Sequence, residues 1–323
     1  MNLIFTVCSA NQLHQAQCLG KSIQKQNPDF EFVIGLVDVL PASFSSAFRV
    51  VSIKEIASPF FAQMKEQFTC TELVAACKPA FASYFFKENP TVEKLICIDP
   101  WILVTDSLSE VFGKLEQANI LLTPNISAAI DLKRECNEMQ FLNEGLYSSG
   151  FIGIKRSETA FAFLAWWQTH ILKYGYLDYE KGMGSDQLCL NFVPLFYDKV
   201  SIDFEPAYNV AFWNLSEKNI TYKDRTYWIN GQKKMVFFNF KGYSLQKPER
   251  LSSYWKSASL KNFPVLKPFV KQYQQDLLAE KASEFISIIP AYGRYVPAPK
   301  ELNVIEKGIK SIAKTIIDTI NRL

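Results

Sequence analysis

The chain is poor in the residues that build most metal centres and disulfide scaffolds. Its 323 residues hold two histidines, His14 and His170, too few for a histidine-rich metal site. The seven cysteines (Cys8, Cys18, Cys70, Cys77, Cys97, Cys136 and Cys189) show no C-x-x-C spacing, are odd in number and lie mostly among apolar neighbours. Reduced core thiols in a cytoplasmic protein are therefore expected. No stretch approaches the roughly 20 apolar residues that span a bilayer. Charge of neither sign dominates: 35 Lys+Arg against 32 Asp+Glu leave +3 and no basic field, so nucleic acid is not the expected partner. Internal repeats and low-complexity tracts are absent. Met1-Asn-Leu-Ile-Phe-Thr-Val has no basic n-region or long apolar h-region, and reads as a first strand rather than a signal peptide.

What is present is apolar and aromatic: 48% hydrophobic and 14% aromatic residues suffice for a large core. Strand patterns at 3–8, 30–37, 50–53, 95–98, 120–122 and 147–154 alternate with helical spacing at 13–23, 72–86 and 158–174. Lys78-Pro79 interrupts the second helical stretch or starts a new segment. Strands alternating with helices predict an α/β fold, a mostly parallel sheet with helices on both faces. Beyond about residue 200 the pattern loosens. Residues 235–240 read as a last strand, 259–284 as helical and 290–299, with three prolines, as an extended connector. Leu302, Ile305, Ile309, Ile312 and Ile316 repeat at helical spacing in a final helix, suited to a homodimer seam, docking on the body or peripheral membrane contact.

One segment concentrates chemical potential. In Leu95-Ile-Cys-Ile-Asp-Pro-Trp-Ile-Leu-Val104 an apolar strand delivers a single carboxylate, Asp99, to its end, and Pro100, lacking an N–H, stops the ladder. Ligands of open α/β sheets bind just outside the carboxyl ends of the strands. An Asp there also caps turns, so position alone does not decide its role.

Further segments recur in order. Thr6-Val-Cys-Ser-Ala-Asn11 is followed by a helix and Asn27-Pro-Asp29; Lys78-Pro79 precedes Ile98-Asp-Pro-Trp101; then come Tyr147-Ser-Ser-Gly-Phe-Ile-Gly153, Asp186-Gln187, and Phe238-Asn-Phe-Lys-Gly242 with Lys247-Pro248. This series resembles the GT-A glycosyltransferases of family 8 and their bacterial relatives, over roughly residues 1–250. The resemblance implies a nucleotide-sugar-binding catalytic domain at 1–250 with a helical extension at 251–323. It implies a retaining hexosyltransferase that moves a sugar, most simply from a uridine-linked donor, to a glycan or glycolipid acceptor in polysaccharide assembly. Residue by residue, it places Thr6, Cys8, Asn11, Lys78, Asp99, Trp101, Ser149, Gly150, Asn239, Gly242 and Lys247 on the donor. Asp186 and Gln187 fall at the reacting carbon, and Asn209 and Trp213, in a Tyr-Asn-x-x-x-Trp-Asn stretch, on the acceptor side. The expected location is cytoplasmic, with peripheral contact at the inner membrane face.

The sequence departs from that pattern where the family holds a divalent metal by two Asp of a DxD and a late His. The second Asp is Trp101 and the His is Asn239, which leaves Asp99. Trp offers no ligand atom and Asn only a neutral carbonyl, a poor set for Mn or Mg. No cofactor is firmly implied, and a metal rebuilt on Asp106 or Asp186 is the remaining route. Lys247 is the expected phosphate cation; Lys241, a second cation on the same turn, either shares that charge or is a solvated loop lysine. Bland readings stand beside several of these. Ser185 or Asp186 suits a helix N-cap, Gly150 a strand bulge, and Trp213 and the Trp166-Trp167 pair ordinary core. A non-catalytic nucleotide-sugar or glycan-binding protein on the same fold is the alternative function.

Overall fold

The computed structural model describes residues 1–130 and 138–294. The predicted final helix, its membrane or dimer contact, and Cys136 lie outside the described residues. Seven strands form the main sheet, in the order Val200–Ile202, β6 (Ile120–Pro124), β7 (Tyr147–Lys155), β4 (Lys94–Ile98), β1 (Asn2–Cys8), β2 (Glu31–Leu36) and β3 (Arg49–Ser52). Four of its six pairings are parallel, and β7 runs antiparallel to both its neighbours.

Two hydrophobic clusters cover the faces, and the period of two along each strand sorts side chains between them. Leu3, Phe5 and Val7 of β1, with Leu95 and Cys97 of β4, join the helices Cys70–Ala76, Lys78–Glu88 and Glu158–Tyr174. Ile4 and Cys8, with Ile96 and Ile98, face α1 (Leu13–Gln26) and the helix Lys267–Ala279. Both faces are thus dry, which explains why these strands read as unbroken apolar runs.

Near residue 78 the chain makes two helices. Thr69 and Glu72 form a capping box at the first, and Pro79 lies in the first turn of the second, where a missing N–H costs nothing. The stretch 259–284 is helical only from Lys267, with a short turn of helix at Pro264–Leu266 before it and Ala282–Phe285 after it. Pro264 and Pro268 each open a segment and break the longer helix that the spacing suggested. The strand expected at 235–240 is shorter, Phe237–Asn239.

After β4 the chain leaves the main sheet. Asp99, Pro100 and Trp101 turn it, with the Ile102 amide bonded to the Asp99 carbonyl at 3.1 Å. β5 (Ile102–Val104) then pairs antiparallel with Phe237–Asn239, which pairs in parallel with Val210–Ala211. Asp99 sits at the junction of two sheets. Among the described residues no helix is long and apolar enough to cross a membrane.

Candidate active site

An open cavity of about 370 Å³ lies at the carboxyl end of β4. At its floor the Lys78 ammonium stands 2.9 Å from Asp99 Oδ1 and 3.0 Å from Asp186 Oδ2, and donates to the Ser149 carbonyl at 3.0 Å. All three charged residues are buried, at 4%, 8% and 5% exposure. Burial works against the charged lysine, but Asp186 and then Asp99 more than offset it, and Lys78 is held above its ordinary value.

Each member is positioned by a different element. Lys78 opens its helix. Asp99 donates its amide to the Gly150 carbonyl at 2.9 Å. A Cβ on Gly150 would stand 2.6 Å from Asp99 Oδ2, so only glycine lets β7 pass this close to the carboxylate. Asp186 is carried by the short helix Ser185–Leu188. Its carbonyl accepts the indole N–H of fully buried Trp167 at 3.0 Å and the Cys189 thiol at 3.2 Å. The Trp166-Trp167 pair was expected to be packing alone; Trp167 also fastens the backbone of Asp186. Gln187 accepts the Ser149 amide at 3.1 Å and donates to the Glu144 carbonyl at 2.9 Å. Both ends of its amide are thus engaged, lacing β7 to the end of the helix Glu138–Glu144.

A chain of carboxamides supports the other wall. Asn125 donates to Gly145 O at 2.9 Å, and its own carbonyl accepts both Trp213 Nε1 and Asn214 Nδ2 at 3.0 Å. Asn209 reaches Asn125, and Asn239 reaches Asn209, each at 3.4 Å. Asn239 Oδ1 accepts the amide of Lys241 at 3.0 Å. Asn125, Asn209, Asn214 and Asn239 are all buried. Asn209 and Asn214 share one stretch of sequence, but their link to Asn125 and Asn239 leaves no local trace, because those residues are distant in sequence and neutral.

The cavity brings together Lys78, Asp99, Trp101, Ser149, Gly150, Asp186, Gln187, Trp213 and Asn239. Thr6, Cys8, Asn11, Asn209, Gly242 and Lys247 are not on its wall. Thr6 and Cys8 are buried in β1, and burial pushes the Cys8 thiol well up. Asn209, expected on the acceptor side, is 1% exposed and spent in the amide chain. Of the two loop lysines, Lys241 lines the cavity, whereas Lys247 is exposed and is not on its wall. Glu144, Tyr179, Phe212, Tyr254 and Trp255 also line it, and sequence reasoning missed them. Burial raises the Glu144 carboxyl, with Lys241 opposing.

The divalent metal that the resemblance implies does not suit these residues. Asp99 is already paired with an ammonium. Trp101 has no ligand atom, and both ends of the Asn239 carboxamide are committed. Asp106 is not on the cavity wall. Among the described residues no three His, Cys, Asp or Glu side chains gather as a ligand set.

No family model matches the chain. It is 24% identical over 245 residues to the uncharacterized protein YfnF of Bacillus subtilis (strain 168), covering 74% of this chain and 81% of YfnF. Among solved structures it is similar to the galactosyltransferase LgtC in complex with donor and acceptor sugar analogues, at 16% identity and TM-score 0.48, covering 90% of this chain and 98% of LgtC. It is also similar to the glycosyltransferase GlyE of Streptococcus pneumoniae TIGR4, at 16% identity and TM-score 0.47, covering 90% of this chain and 65% of GlyE.

Proposed function

We propose that the protein is a GT-A-type glycosyltransferase that binds a uridine-linked nucleotide sugar and transfers the sugar, with retention, to a glycan acceptor without a family-type metal. The observation that carries this reading is the meeting of Lys78, Asp99, Ser149, Gly150, Asp186 and Gln187 in one cavity. They come from four sequence segments that resemble the family motifs in order, and a non-enzymatic core has no need to gather them around open space.

The charges define the roles. Lys78 holds two carboxylates in one orientation, and in this reading one of them, Asp186, orients sugar hydroxyls at the reacting carbon. Lys241 is the ammonium on the cavity wall outside that cluster, and supplies attraction for a diphosphate, whose charge grows as the sugar departs. The wall carries two ammonium groups against the carboxyls of Asp99, Glu144 and Asp186. Donor binding is therefore favoured by the protonated form of Glu144, and affinity rises as pH falls.

Calorimetry with a panel of nucleotide sugars, with and without chelator and with and without manganese, tests the reading. Binding below the millimolar range that survives chelation supports it; absence of binding overturns the donor assignment. Asp186→Ala is then expected to lower kcat on the order of 10²-fold with little change in donor affinity. Donor binding with no turnover against any glycan acceptor would instead favour the non-catalytic binding protein.

A further inference from the structure

We infer that Tyr179 and Tyr254, exposed on the wall of the same cavity, form an aromatic platform that takes the apolar face of a pyranose, the acceptor side of the proposed transferase. Of the two residues assigned to that side from the sequence, Asn209 is buried, whereas Trp213 lines the cavity with its indole N–H bonded to Asn125 O.

Tyr179 and Tyr254 line the same cavity from opposite elements, and are 52% and 62% exposed. Tyr179 stands on the turn of the hairpin that pairs Leu177 and Asp178 with Met183 and Gly184, immediately before Asp186. Desolvation, then Glu144 and Tyr254, push the Tyr179 phenol up to about 12, so it stays neutral. Tyr254 is built into its place. Gly242 has φ +78°, and a Cβ there would lie 2.6 Å from the Tyr254 ring, so the ring rests on bare backbone. Ser253 N–H donates to Gly242 O at 2.8 Å, and Arg250 Nη2 to Trp255 O at 2.6 Å, fastening the loop. Phe212 backs Tyr254 at 6.2 Å and meets Trp213 and Trp255 edge-on at 5.0 Å and 4.9 Å.

An exposed ring immobilised on one side has already lost the freedom that binding would cost it. Rings edged by hydroxyls suit a sugar, whose C–H face is apolar and whose rim is polar. The platform has no charge of its own, so the phosphate end of a donor gains nothing from it. Gly242 thereby acquires a role: it seats Tyr254.

This inference rests on the proposed transferase reading, and the test separates the two. Saturation-transfer NMR with a panel of methyl glycosides, maltose and cellobiose is measured on wild type, Tyr179→Ala, Tyr254→Ala and the corresponding phenylalanine variants, beside UDP-sugar calorimetry on each. Saturation of pyranose C–H protons, about tenfold weaker glycoside binding in either alanine variant, near wild-type binding in the phenylalanine variants and unchanged UDP-sugar affinity support the platform. Glycoside binding indifferent to both alanine changes, or absent for the whole panel, overturns it. So does an equal loss in alanine and phenylalanine variants, or a loss confined to uridine and UDP binding. Tyrosine-dependent glycoside binding in a protein that binds no nucleotide sugar would sink the transferase reading and leave the platform standing.

Discussion

Lys78→Met keeps the length of the side chain and removes its charge. The ammonium it deletes lies 2.9 Å from Asp99 and 3.0 Å from Asp186, in a cluster where no member exceeds 8% exposure. The lysine is held above its ordinary value of 10.5, so the stability it contributes is complete below 10.5 and is lost only as pH rises through the higher folded value. Up to pH 9 the Lys78 ammonium therefore stays charged in the wild type. Removing one partner of a buried pair costs about 3–5 kcal/mol. Two carboxylates lose their counter-charge here, so about 4–5 kcal/mol is expected, a large share of a total of roughly 5–15. Adding Asp186→Asn leaves one uncompensated carboxylate, and the double variant is expected to regain about 1–2 kcal/mol. The single variant is also expected to gain stability from pH 8 to pH 5, because a proton on either carboxyl relieves the repulsion. Urea titrations followed by tryptophan fluorescence read all three effects. A Lys78→Met protein within about 1 kcal/mol of wild type at pH 8, with no gain on acidification, would refute the buried clamp.

Gly150→Ala forces a methyl group into the space of Asp99 Oδ2, and is expected to cost about 1–3 kcal/mol and to abolish nucleotide-sugar binding by calorimetry; a variant that binds as wild type would show that Asp99 does not touch the donor. Lys241→Ala is expected to weaken donor binding by about 1.5–3 kcal/mol, and Lys247→Ala to leave it within about 0.5, since only Lys241 lines the cavity; the reverse order in calorimetry returns the phosphate role to Lys247. Burial lowers His14 from 6.5 to about 4, so the unfolded state takes up the proton first and stability falls as pH drops from 6.5 towards 4. His14→Leu should remove up to about 3 kcal/mol of that slope, and an unchanged slope in denaturation at pH 4–7 would exclude His14 as its source.

The sequence made local order legible and long-range pairing illegible. The helix at 158–174 reads directly because a capped, apolar, period-3.6 stretch needs no partner to be recognised. β1, β4 and Asp99 read from their apolar runs, as buried central strands do. The antiparallel course of β7 and the departure of β5 to a second sheet left no local trace, since direction and pairing depend on residues far along the chain. At the site, Lys78, Asp99 and Asp186 were visible as charged residues in apolar or motif settings. The link from Trp167 to Asp186, the asparagine chain and the seat of Tyr254 on Gly242 were not, because indoles, amides and a glycine look the same in sequence whether they pack or organise a site. The choice between Lys241 and Lys247 has the same origin: six residues apart on one loop, they carry the same side chain, and only the fold brings Lys241 to the cavity wall.

The strand pairing that joins β5 to Phe237–Asn239 sets Ile102 opposite Asn239 and bonds the Phe240 amide to the Trp101 carbonyl at 3.0 Å. Residues 101 and 239, far apart in the chain, are therefore near neighbours in space. A histidine introduced at 239 would break the bonds to Asn209 and to the Lys241 amide, and an aspartate introduced at 101 would face a committed amide. Each change alone meets a neighbour adapted to its absence. The two positions are coupled: turning this site into a metal-binding one requires both changes together, because either alone loses bonds and gains no ligand set.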